Sequence, residues 1–90
     1  MTIFKYELQT IDHQKIIMGA DAHILCVKVQ KEVPVIWALT DEDAPLIKRE
    51  FILFGTGHDI NKKMLEHIGY IGTFQLAKGS LVFHLFEVFD

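Results

Sequence analysis

The stretch His23 to Thr40, HILCVKVQKEVPVIWALT, decides the fold. It holds two apolar runs, His23–Lys31 and Val35–Thr40, separated by Glu32-Val33-Pro34. In the first, Leu25, Val27 and Val29 point one way, and Ile24, Cys26, Lys28 and Gln30 the other. In the second, Val35, Trp37 and Leu39 share a side. A repeat of two is the spacing of a β-strand, whose successive side chains face opposite ways. Pro34 cannot donate to a strand ladder, so Glu32–Pro34 is the expected turn and the two runs read as a hairpin.

The same pattern continues on both sides. Phe4, Tyr6 and Leu8 alternate with Lys5, Glu7 and Gln9, and Lys15–Met18 follows across a turn at Asp12, which predicts an N-terminal hairpin. Arg49–Gly55 is apolar on both faces, as a central strand would be. Tyr70–Leu76 and Leu81–Phe89 form a closing hairpin across Ala77-Lys78-Gly79-Ser80, where Gly79 supplies a positive φ. The one helical stretch is short and lies near 60–67: Asp59 or Asn61 can cap it, and Ile60, Met64, Leu65 and Ile68 share a face. The expected architecture is a single mostly-β domain, residues 1–90, a small antiparallel sandwich or barrel of six or seven strands.

Composition narrows the setting. Half of the 90 residues are hydrophobic, and Cys26 is the only cysteine, so no intrachain disulfide supports the core. One cysteine suits a reducing cytoplasm. The longest apolar run, Val33–Leu39, is far short of the roughly 20 residues a spanning helix needs, and the first residues lack the pattern of a signal peptide. A cytoplasmic location is therefore expected, with no membrane partner. The formal net charge of −3 argues against a nucleic-acid backbone as partner.

Few motifs carry chemistry. Gly55-Thr56-Gly57-His58 is the most distinctive, because two glycines allow close backbone approach and successive N–H groups can form an anion-binding nest. A helix starting near Asp59 would aim its positive end at the same place. Gly55, Thr56, Gly57 and His58 are thus candidates for holding a small anion or nucleotide. The alternative is a plain strand-exit turn, since the spacing matches neither a P-loop nor a dinucleotide fingerprint. An enzyme using His58 with Asp59 or Glu66 has no oriented nucleophile to support it. The five histidines lack zinc-site spacing, so neither a metal nor another cofactor is expected. Cys26 reads as a core thiol. His84, between Val82 and Phe86, reads as a half-buried strand residue. The acidic loop Asp41-Glu42-Asp43 reads as solvated, or as a recognition surface for a basic partner.

The last strand is apolar on both sides: Phe83, Leu85 and Phe89 on one, Val82, Phe86 and Val88 on the other. Both sides need cover, and in so short a chain a second subunit can supply one. Phe83, Leu85, Phe86 and Phe89 are the candidate oligomer interface, and a homo-oligomer is expected.

Five segments together resemble a known family: Ile3-Phe4-Lys5-Tyr6, Ile36-Trp37-Ala38-Leu39, Phe54-Gly55-Thr56-Gly57-His58, Tyr70-Ile71-Gly72-Thr73-Phe74-Gln75 and Leu81-Val82-Phe83-His84-Leu85-Phe86-Glu87. They are similar to those of an uncharacterised family of small proteins encoded mainly by tailed bacteriophages and prophages. The resemblance implies a phage accessory protein made in the cytoplasm of the infected bacterium, and it brings no assigned site residues. Segments 41–49 and 59–68 depart from the pattern. The function expected from this is non-enzymatic: binding that inhibits or modulates a host protein, a defence component among the targets. The alternative is an oligomer that holds an anionic ligand at Gly55–His58.

Overall fold

The structure is a computed structural model and describes residues 1–89. Seven strands make two antiparallel sheets: β1 (Thr2–Glu7), β2 (His13–Gly19), β3 (His23–Gln30), β4 (Val33–Thr40), β5 (Leu46–Gly55), β6 (Ile68–Leu76) and β7 (Leu81–Val88). The smaller sheet has the order β1-β4-β3 and the larger β2-β5-β7-β6. They pack as a small β sandwich, as the alternating runs led one to expect.

The two sheets bury one face each against the other, and in β4 the core side is that of Ile36 and Ala38, not the Val35, Trp37 and Leu39 side picked out by alternation. Tyr6, Ile24, Val27, Ile36 and Ala38 come from the smaller sheet, and Met18, Phe51, Leu53, Phe74 and Leu85 from the larger. Phe51, Met18, Ile36 and Leu85 are sealed from solvent. Full burial of such a side chain is worth about 1.5–3 kcal/mol, so this layer replaces the cross-links that the chain lacks.

The β3–β4 hairpin forms with two changes. Its turn is Lys31–Glu32, not Glu32–Pro34, and both residues have positive φ, 51° and 66°. Two central residues of positive φ match the right-handed twist of the flanking strands and allow Gln30 to pair with Val33. Pro34 then enters β4 near its start, where its carbonyl accepts from Leu8 N at 2.9 Å. The second change is a β-bulge between Ile24 and Cys26. It switches the alternation, so Ile24, Val27 and Val29 pack on the core while Leu25 is 45% exposed. Cys26 is half-buried opposite Trp37 on the sheet's outer face, not in the core.

The predicted N-terminal hairpin does not form. Tyr6 of β1 lies opposite Ile36 of β4, and Gln14 of β2 lies opposite Phe51 of β5, so the chain changes sheets between them. Leu8 is buried at the crossing, and the Gln14 side chain accepts from Gln9 N at 3.1 Å and donates to Gln9 O at 2.8 Å. These contacts hold a corner between sheets where a tight turn was expected. Arg49–Gly55 is central as read: β5 runs between β2 and β7. The helical segment is a single 3-10 turn, Lys62–Glu66, capped by Asn61. Its Leu65 is exposed, and Ile68 already belongs to β6.

One charged pair lies within the sandwich. Glu87 points inward from β7 with Leu85, and the Arg49 guanidinium reaches it through Nε (2.6 Å) and a second nitrogen (2.8 Å). The other terminal nitrogen donates to Ala22 O at 2.6 Å, tying the pair to the β2–β3 connection. The Glu87 carboxylate holds the Arg49 guanidinium above its ordinary pKa, against the opposing effect of burial. Removing one partner would strand a buried charge. Arg49→Met is expected to cost about 3 kcal/mol in urea denaturation, and Arg49→Met with Glu87→Leu to recover most of the loss. Equal losses in the single and double variants would show that the pair contributes only by packing.

Candidate functional site

The outer face of the larger sheet collects the aromatic residues that the core does not use. The register sets Ile52 beside Phe86 and Phe86 beside Tyr70, and in the next row Phe54 beside His84 and His84 beside Thr73. The Phe86 ring meets Phe54 edge-on at 5.6 Å between centroids and Tyr70 at 5.5 Å. Such contacts add about 0.5–1.5 kcal/mol each beyond area burial. The face is nonetheless open: Tyr70 is 61% exposed, and Ile52, Phe54, Phe86 and Val88 are only partly covered.

A polar chain crosses this apolar surface. His84 Nε2 lies 2.8 Å from Thr56 Oγ1, His84 Nδ1 lies 2.9 Å from Thr73 Oγ1, and Thr73 Oγ1 lies 2.6 Å from the Tyr70 hydroxyl. Threonine hydroxyls donate or accept, so they satisfy either tautomer of a neutral imidazole. The Thr56–His84 distance meets the geometric condition for an activated hydroxyl. The group behind the imidazole is a neutral hydroxyl, however, and it gives a developing imidazolium no opposite charge. What the chain does is orient Tyr70 and His84 as fixed hydrogen-bonding groups within an aromatic surface.

This places the Gly55–His58 segment. Gly55 ends β5, and Thr56 and Gly57 turn away from it with Gly57 at φ 90°. Thr56 N donates to Val82 O at 3.2 Å and His58 N to Gly55 O at 3.1 Å. Two N–H groups of the expected anion nest are therefore already paired. The His58 ring lies over Gly55, where an added Cβ would come within 2.9 Å of Cε1. No helix begins at Asp59, and Asn61 Oδ1 already takes the Lys63 N–H of the short turn that follows. A shallow hollow of about 340 Å³ remains, lined by Gly55, Thr56, His58, Ser80, Leu81, Val82 and Phe83. Thr56 contributes to the aromatic face through its side chain, which the reading of backbone N–H groups missed.

The four residues assigned to an oligomer interface separate. Leu85 is fully sealed in the core, and Phe83 packs inward on that core with its ring 5.7 Å from Phe74. The smaller sheet covers this side of β7, so it needs no second subunit. Phe86 lies on the open outer face. Phe89, 52% exposed, sits past the end of β7 against Gly69.

A second surface lies between the edge strands β1 and β2. Phe4 and Tyr6 of β1, Ile17, Met18 and Gly19 of β2, Thr40, Asp41, Glu42 and Leu46 line a cleft of about 340 Å³. At its floor the buried Thr40 hydroxyl donates to Asp21 Oδ1 at 2.6 Å, and Asp41 N donates to Asp21 Oδ2 at 3.2 Å. A Cβ at Gly19 would stand 2.2 Å from Thr40 Oγ1, so only glycine allows this approach. The Thr40 hydroxyl, followed by the Asp41 N–H, holds the Asp21 carboxyl below its ordinary value of 3.8. Among the described residues no group of three or more His, Cys, Asp or Glu side chains is arranged to hold a metal. No helix is long and apolar enough to cross a membrane.

The family model for a domain of unknown function, DUF7352, matches residues 1–90. The chain belongs to the DUF7352 family. Neither curated proteins nor solved structures gave a match. The five sequence segments led one to expect an uncharacterised family, and the match shows that much.

Within this DUF7352 domain, Asp21 gives a pH test. Its folded pKa is depressed, so its contribution is present above the unfolded value and is lost as pH falls through the lower folded value. Asp21→Asn is expected to melt below wild type at pH 7, with the gap closing as pH drops below 3.8. A gap that stays constant with pH would show that the carboxylate charge contributes nothing.

Proposed function

We propose that this protein is a phage accessory protein of the infected bacterial cytoplasm that acts by binding a host protein and modulating it, without catalysis. Defence proteins are the targets to test first. The observation that carries a binding role is the open aromatic face of the larger sheet, where Phe54, Phe86 and Tyr70 surround the Thr56–His84–Thr73 chain. Tyrosine and phenylalanine on a rigid sheet supply contact area at low entropic cost, and Tyr70 presents a hydrogen-bonding tip already oriented by Thr73. The phage setting rests on the sequence resemblance. The same face suits a second copy of the chain, which would make the protein a homo-oligomer.

The anionic-ligand alternative draws on the hollow beside Gly55–His58 and is weakened by the two paired N–H groups there. Its test is thermal: a ligand at 100 times its Kd adds about 2.7 kcal/mol. A nucleotide panel is expected to leave the melting temperature unchanged, and a clear shift would move the site to the turn.

For the protein-binding reading, tagged wild type and Tyr70→Ser are compared by affinity capture from bacterial lysate, with sedimentation of each alone. Wild type is expected to retain a partner that the variant loses at unchanged circular dichroism. Identical captured proteins for both would remove the aromatic face from the proposal. A wild-type dimer that Tyr70→Ser turns into a monomer would reassign the face to self-association.

A further inference from the structure

The two sheets differ by one strand. On one side of the sandwich β3 lies close to β6, since a Cβ on Gly72 would stand 2.8 Å from Val27 Cγ1. Matched from that side, three strands against four leave the smaller sheet without a strand beyond β1. β1 and β2 are both free edges, and the cleft described above opens between them. Its walls are apolar and accessible: Phe4 is 40% exposed, Ile17 56% and Leu46 72%. Asp41 and Glu42 are its only charged lining residues. The ion pairs among the described residues are His13–Glu50 and Arg49–Glu87, so no lysine, arginine or histidine side chain pairs with the two carboxylates at the cleft. The one cation that acts nearby is the N-terminal ammonium, on Asp21. Asp41 instead accepts from Asp43 N, and Glu42 from the Thr2 hydroxyl.

We propose that this cleft receives an extended segment of a partner protein, which adds to β1 as the fourth strand of the smaller sheet. An unpaired edge offers a row of backbone donors and acceptors to such a segment. Alternate side chains of the added strand would fall into the cleft beside Phe4 and Tyr6, so the segment carries apolar residues at every second position. Charge complementarity places a lysine or arginine of the segment against Asp41 and Glu42. The free edge of β1 is favoured over that of β2 because β1 borders the sheet that is one strand short. The site shares no residue with the aromatic face, so either surface can fail without the other.

The test uses the whole protein and fluorescent peptides of about eight residues, matched to a strand. Each carries two lysines at one end followed by threonine alternating with valine, isoleucine, leucine or phenylalanine. Fluorescence anisotropy is expected to show saturable binding for at least one peptide. Leu46→Lys and Glu42→Lys, both at exposed positions, are each expected to weaken it about tenfold. A proline at the peptide's centre is expected to abolish binding, and hydrogen exchange to show new protection at 2–7. The proposal is overturned if no peptide of the set binds, if binding ignores both substitutions, or if protection appears on other strands. Self-association protecting 2–7 without peptide would also overturn it, and would assign the edge to a second copy.

Discussion

Everything in this molecule depends on the dry layer where Ile36 of the smaller sheet meets Met18, Phe51 and Leu85 of the larger. These side chains come from four strands spread across the chain, and no disulfide helps to hold them together. A seven-stranded chain can seal such a layer only by folding into two sheets with their apolar faces together. That requirement overrides local pairing. β1 and β2 are neighbours in sequence, yet each pairs elsewhere because each must cover the core from its own side.

The sandwich also encloses a charge pair. Arg49 and Glu87 satisfy each other in a bidentate arrangement, and the third hydrogen bond goes to the Ala22 carbonyl. Placed where β2 gives way to β3, the pair ties a sheet crossing to the two central strands of the larger sheet. An apolar pair could fill the same space, but it would not hold the crossing through directed bonds.

Seven strands do not divide equally between two sheets. The smaller sheet covers the core face of β7 and leaves the outer face of the larger sheet open, with its Phe54–Phe86–Tyr70 contacts and its polar chain through His84. The inequality leaves β1 as a free edge over an apolar cleft. The unequal count bears on the edge alone; the outer face of the larger sheet is open because a two-layer sandwich covers each sheet on one side only.

Particular residues show how far the sequence could be read. Alternation at 35–40 located one strand, the apolar run 81–89 located another that ends at Val88, and Gly79 located a turn that does carry positive φ. The bulge at Ile24–Cys26 was hidden, because one extra residue reverses the faces without changing composition. Thr56, His84 and the Tyr70–Thr73 pair lie in three separate segments of the chain and meet only through the β5–β7–β6 register. The Gly55–His58 segment attracted notice for its backbone, while its contribution to the open face is a threonine side chain. By itself the sequence determined that this is a β domain with one apolar core, since a period of two is a local signal. Which strands share a sheet, which side of β7 is covered and where an edge stays free were decided by tertiary structure, because those depend on pairings between distant segments that no local pattern encodes.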